Sequence, residues 1–175
     1  MKIAIDLGHG IGSDRGAIGI LPEENLINTV GNLVINKLKI LKHTVILTRP
    51  TIATTVTESL FKRCDTANKN NVDFFCSIHA NAFNKTANGT EVWTYKKNNI
   101  IQAARFLDKM SKIGFVNRGI KDALNEKKLY VINNTNAVAM LCELCFCDNQ
   151  NDINIYKNNI EKIANAIVYA ITGTI

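Results

Sequence analysis

Proline is nearly absent from this chain, with two among 175 residues, and tryptophan occurs once. No Pro-, Gly- or Ser-rich stretch interrupts the sequence and no segment repeats, so residues 1–175 are expected to form a single domain. Long apolar runs are also missing. Nothing approaches the ~20 consecutive apolar residues of a membrane-spanning helix, which argues against membrane insertion. The opening MKIAIDLGHG has one Lys and only a short apolar run before Asp6, too little for a signal-peptide core, and it reads as a first strand. The five cysteines are odd in number and follow no secretion signal, which argues against a disulfide framework. The CELCFC run lacks the further cluster that a four-thiolate zinc site needs. Cys142, Cys145 and Cys147 therefore read as core residues, like Cys64 and Cys76. Arg-rich helices and spaced aromatic platforms are lacking too, and with them the signature of a nucleic-acid binder. The formal net charge of +6 instead favours other acidic polymers.

What is present is an alternation of two hydrophobic periods. Residues 2–7, 43–49, 72–81, 89–95, 128–133 (KLYVIN) and 137–144 (AVAMLCEL) read as strands, and Pro50 stops the second of them. Residues 23–41 place Leu26, Ile27, Val30, Leu33, Val34, Leu38 and Leu41 at helical spacing, after Pro22, which suits a helix start. Residues 57–70 read as a second helix, with its cap in 57–60 and Leu60, Phe61, Cys64 and Ala67 as its apolar face. Residues 98–114 and 160–171 complete the helices, and Gly114 closes the former. Strands interleaved with helices predict an α/β three-layer sandwich: a mostly parallel, mixed central sheet of about six strands with helices on both faces. In such folds ligands bind beyond the carboxyl ends of the strands.

Of the three histidines, two follow buried runs: His9 after IAIDLG and His79 after FFCSI. Two strands thereby deliver one imidazole each to the same edge of the sheet, and neutral imidazole is the commonest zinc ligand. A hydrolytic zinc site takes three protein ligands and leaves the fourth position to water. LPEENL sets Glu23 and Glu24 in the first turn of a helix, and the loop after His9 is long enough to fold back to it. Either glutamate also suits the positive end of a helix without any metal. Glu143 lies inside the apolar strand AMLCELCF, where a carboxylate needs a cationic neighbour. Burial there lifts its pKa towards the range of a general base. His43 has no such context.

The segments IDLGHG, GAIG, the helix-opening glutamate, LTR, Arg63 with Ala67 and Asn68, SIHANAF, GTEVW, NRGIK, LYVI and CELCFCDN follow one another nearly end to end. As a set they resemble the zinc-dependent N-acetylmuramoyl-L-alanine amidases (amidase_3 type), cell-wall hydrolases that include bacterial autolysins and phage endolysins. The resemblance implies Zn2+ held by His9, His79 and a helix-opening glutamate, with Glu143 as the catalytic carboxylate. Glu23 is the expected third ligand, because Leu26, Val30, Gly31, Leu33 and Val34 then fall in the family's phase; Glu24 is the alternative. The implied reaction is hydrolysis of the amide between the lactyl group of N-acetylmuramic acid and L-alanine, with peptidoglycan as partner. Arg118 and Lys121 are candidates for stem-peptide carboxylates, Asn81 for substrate or for the surroundings of His79, and Asp6 for a partner of a ligand histidine. Leu7 and Ile11 stand where the family often has proline and glycine, and Cys145 where it often has glycine, which bears on loop shape and substrate fit. The basic charge suits anionic wall polymers. The expected setting is an endolysin made in the host cytoplasm and acting on the cell wall, or the catalytic part of a longer secreted autolysin with its own wall-binding domain. The rival readings are another zinc peptidase or deacetylase, and a non-catalytic wall-binding module with a structural zinc.

Overall fold

Six strands join in one mixed sheet in the order β2-β1-β3-β6-β4-β5, in a computed structural model that describes residues 1–98 and 100–174. The strands are β1 (Lys2–Leu7), β2 (Thr44–Leu47), β3 (Phe74–Asn81), β4 (Thr90–Thr94), β5 (Asn117–Asp122) and β6 (Val138–Phe146). The helices are α1 (Glu23–Ile40), α2 (Val56–Lys69), α3 (Ile101–Ile113), α4 (Tyr130–Asn133), α5 (Gln150–Asn158) and α6 (Ile160–Thr172). Neighbouring strands run parallel except β4 against β6. Asn99, inside the helix predicted at 98–114, and Ile175, at the end of the predicted domain, lie outside the described residues.

Strand alternation sorts the core into two layers. Ile3, Ile5, Phe74, Cys76, Ile78, Met140, Cys142 and Leu144 face α1, α3 and α6 in the larger cluster. Ala4, Phe75, Trp93 and Leu141 face the smaller cluster under α2 and α4. All five cysteines are free and buried, as expected of core residues.

The structure departs from the sequence pattern in four places. KLYVIN is not a strand: Tyr130–Asn133 form the short helix α4. Val131 and Ile132 are both buried in the smaller core, and adjacent residues share one face on a helical turn but not on a strand. The sixth strand is instead NRGIKD, a polar edge strand paired only with β4 and therefore without apolar alternation. α5 is a further helix, capped by Asn149, whose Oδ1 accepts from Asn151 N and Asp152 N. In α2 the cap is Thr55, which accepts from Glu58 N, while Glu58 Oε2 reaches back to Thr54 N. Phe61, expected inward, is 55% exposed, and Arg63 turns inward instead.

Arg63 is 1% exposed and ties α2 to the end of β1. It donates to Asp6 Oδ1 (2.6 Å), Leu7 O (2.6 Å), His9 O (2.9 Å) and Asp14 Oδ2 (3.2 Å). Asp6 also accepts from Thr48 Oγ1 and Ser77 Oγ. Burial alone would raise the Asp6 carboxyl, but the Arg63 charge and the hydrogen bonds from Ser77 and Arg63 outweigh it and hold the pKa below 3.8. Arg63→Met would strand two buried carboxylates. It is expected to lower unfolding stability by about 3–5 kcal/mol, read from urea denaturation.

Candidate metal centre

β1 and β3 are adjacent and parallel, with Leu7 beside Ile78, so the chain leaving β1 and the end of β3 reach the same edge. His9 follows β1 in a left-handed conformation (φ 54°), and His79 is the first part-buried residue of β3, after five buried ones. Their ring centroids lie 4.8 Å apart with the planes at 81°. Only glycine fits at position 8, because a Cβ there would overlap the His79 ring. Gly8→Ala should therefore displace His79, and competitive chelator titration should show at least a tenfold loss of metal affinity.

The loop after His9 folds back as expected. Ile11 bridges Asp14, Ile18 bridges Pro22, and Glu23 N donates to Ala17 O (2.9 Å) at the first turn of α1. Glu23 is 4% exposed, with Oε1 3.2 Å from His79 Nδ1 and 3.5 Å from His9 Nε2. Its oxygens also accept from Ala80 N and Ala17 N. Burial alone would raise this carboxyl, but the hydrogen bond and charge of His79, with the charge of His9, hold it below 4.5. Glu24 is turned away: its oxygens meet Arg15 and the backbone N of Gly16. His9, Glu23 and His79 each offer one ligand atom within 4.8 Å of the others, a set that could hold a metal ion.

The partner of His9 is Asp14, a residue the sequence pattern did not single out, rather than Asp6. Asp14 Oδ1 lies 2.8 Å from His9 Nδ1, and Oδ2 accepts from Ser59 and Arg63. Burial opposes ionisation of Asp14, but the His9 and Ser59 hydrogen bonds and the Arg63 charge overcome it and drive its pKa far below 3.8. This arrangement orients the His9 ring and leaves Nε2 for the cluster, the usual use of a carboxylate behind a metal-binding histidine. Asp14 stands in an irregular loop with no hydrophobic period, so only its closeness to His9 in sequence could have pointed to it.

Glu143 pairs with His79 in the β3–β6 register and is 5% exposed. Oε1 lies 3.9 Å from Lys127 Nζ, while Oε2 is buried and takes no hydrogen bond among the described residues. Burial pushes its carboxyl above 4.5, and the charges of His79 and Lys127 offset this only in part. All four residues line one cavity of about 420 Å³, together with Asn81, Leu60, Lys127, Lys128 and Tyr130.

Of the other expected site residues, Asn81 lies on this cavity wall and donates to Glu91 Oε1 (3.2 Å). Arg118 donates to Glu91 Oε2 (2.9 Å) and stacks over Phe146, and neither Arg118 nor Lys121 lines the cavity. Glu91 is a second buried carboxylate, set opposite Glu143 in the β4–β6 pair. The reasoning applied to Glu143, an acid inside an apolar strand, would also have found Glu91 in GTEVW.

Residues 3–173 match the family described as N-acetylmuramoyl-L-alanine amidase (Amidase_3). An uncharacterized protein of Clostridium perfringens is 36% identical over 163 residues, covering 90% of this chain and 47% of its own length. An uncharacterized cell wall amidase of Bacillus anthracis is 36% identical over 166 residues, covering 86% of this chain and 30% of its own length. The chain thus spans less than half the length of these curated relatives. Among solved structures, the catalytic domain of the CD27L endolysin targeting Clostridia difficile superposes with a TM-score of 0.86 at 29% identity, covering 99% of this chain and 98% of that one. A family match over nearly the whole chain, carried by the same α/β fold, places this protein in the N-acetylmuramoyl-L-alanine amidase family.

Proposed function

We propose that this chain is the catalytic unit of a zinc-dependent enzyme that hydrolyses the amide between the lactyl group of N-acetylmuramic acid and the L-alanine of the stem peptide. The observation that carries the reading is the convergence of His9, Glu23 and His79 beside a buried Glu143 whose Oε2 takes no hydrogen bond among the described residues. The donor set suits zinc: two imidazoles and one carboxylate, with Asp14 behind His9. When bound, zinc would supply Lewis acidity to the amide carbonyl and make water a stronger acid. His9, Glu23 and His79 would hold that charge at the carboxyl edge of the sheet. Glu143 Oε2 takes a proton from the attacking water and returns it to the departing alanine nitrogen. Its raised pKa suits both steps, since the same oxygen must be basic and then acidic. Glu91, paired with Arg118, accepts from Asn81 and so holds that side chain on the cavity wall.

The net charge of +6 would draw the enzyme to walls rich in anionic polymers. The endolysin setting, with synthesis in a host cytoplasm and action on the wall, is supported by the solved relative described as an endolysin.

The test is product analysis on purified peptidoglycan. An amidase releases new L-alanine amino termini and free muramic lactyl carboxyls in equal amounts. Chelation should abolish this release and zinc should restore it. New amino termini at another residue would indicate a peptidase, released acetate a deacetylase, and wall binding without products a binding module.

A further inference from the structure

We propose that Lys127 and Lys128 form a carboxylate-binding wall of the cavity, which takes the free α-carboxylate of the acidic residue that follows L-alanine in the stem peptide. The inference rests on the amidase reading and assigns a substrate group to a part of the site that reading leaves unused.

Both lysines line the cavity that holds Glu143, and both are exposed to it and to solvent. Neither ammonium makes a hydrogen bond to any described residue. Lys127 Nζ stands 3.9 Å from Glu143 Oε1, beyond hydrogen-bond range, and 5.4 Å from the centroid of the Trp93 ring. Val56, Leu60, Leu129 and Tyr130 also line this cavity, and Glu143 is the carboxylate that stands by Lys127. The nearby Glu126 is turned away, accepting from the backbone N of Asp122. An incoming carboxylate would therefore meet two ammonium groups, Lys127 shared with Glu143 across 3.9 Å and Lys128 with no hydrogen bond among the described residues.

The turn that carries the lysines is held in place. Asp122 accepts from Leu124 N, Asn125 N and Asn125 Nδ2, Ala123 N donates to Thr94 O, and Leu129 N donates to Ala123 O. Lys128 sits at φ 50°, a left-handed conformation unfavourable for a lysine and kept by this network.

Reach agrees. The next residue's carboxylate lies about two chain steps from the scissile nitrogen, roughly 7 Å at 3.3–3.6 Å per residue. Lys127 Nζ, 3.9 Å from Glu143 Oε1, stands within that span of a leaving nitrogen served by Glu143. Arg118, the other candidate, is committed to Glu91 and lies off the cavity wall.

The experiment measures binding, so that it does not depend on turnover. Zinc-loaded Glu143→Gln protein is titrated calorimetrically with two synthetic muropeptides that differ only in whether this α-carboxyl is free or amidated. The free acid should bind about tenfold tighter at low salt. Adding Lys127→Gln and Lys128→Gln should bring that ratio to about one, and Lys127→Glu should invert it. A ratio of one before the lysines are changed, a ratio the variants leave intact, or equal weakening of both ligands would overturn the proposal. So would a loss seen only on intact walls bearing phosphate polymers, which would assign the lysines to those polymers. Binding with the expected preference, but no alanine amino termini from the wild-type chain, would instead sink the amidase reading.

Discussion

Glu143→Ala is expected to retain close to one metal ion per chain and to lower the release of alanine amino termini by about 10³-fold or more. The two effects separate because Glu143 contributes no atom to the His9–Glu23–His79 cluster, yet stands beside it in the β3–β6 register. Its Oε2 is buried without a hydrogen-bond partner among the described residues, a costly arrangement unless a reacting group uses it. The wild-type rate should fall as pH drops, because the working base is the ionised carboxylate and burial has raised its pKa above 4.5. The acid limb of the pH–rate profile should therefore follow this carboxyl, and the residual activity of Glu143→Gln should lack it. A Glu143→Ala protein within tenfold of wild type would remove the residue from the mechanism.

The second large effect is on the metal. Glu23→Ala should weaken metal binding by more than about 100-fold, since losing even an outer partner of a ligand costs 10–100-fold. Glu24→Ala should stay within about threefold. The two residues are neighbours of the same type in the same helical turn, so any difference reflects direction alone. Glu23 Oε1 faces both imidazoles, whereas Glu24 is engaged by Arg15. Metal analysis after dialysis against a graded chelator reads the comparison. The reverse order would move the third ligand to Glu24 and require the first turn of α1 to rotate.

Much of the fold was legible because burial leaves a period. β1 is predicted with its observed bounds from its continuous apolar run, and α1 and α6 within a residue at each end because their apolar residues recur at 3.6-residue spacing. The pattern was silent where an element is polar. β5 is an edge strand with no fully buried residue, and α5 is rich in Asn and polar residues and is marked chiefly by its Asn149 cap. It misled at KLYVIN, where β-branched residues serve a helical turn because one face of α4 meets the smaller core.

The site divides in the same way. Sequence alone established that a histidine follows each of two buried runs, that a helix opens on acids, and that a carboxylate is embedded in a late strand. These are local statements, carried by residue type and spacing. Only the tertiary structure decided which acid turns inward, because adjacent helical positions point about 100° apart and the packing of α1 sets its rotation. It also brought Asp14 rather than Asp6 to His9, set Arg63 behind both, and drew Arg118 to Glu91 while placing Lys127 beside Glu143. Those pairings join residues up to 57 positions apart. They depend on strand register and on the path of returning loops, which no local period of the chain encodes.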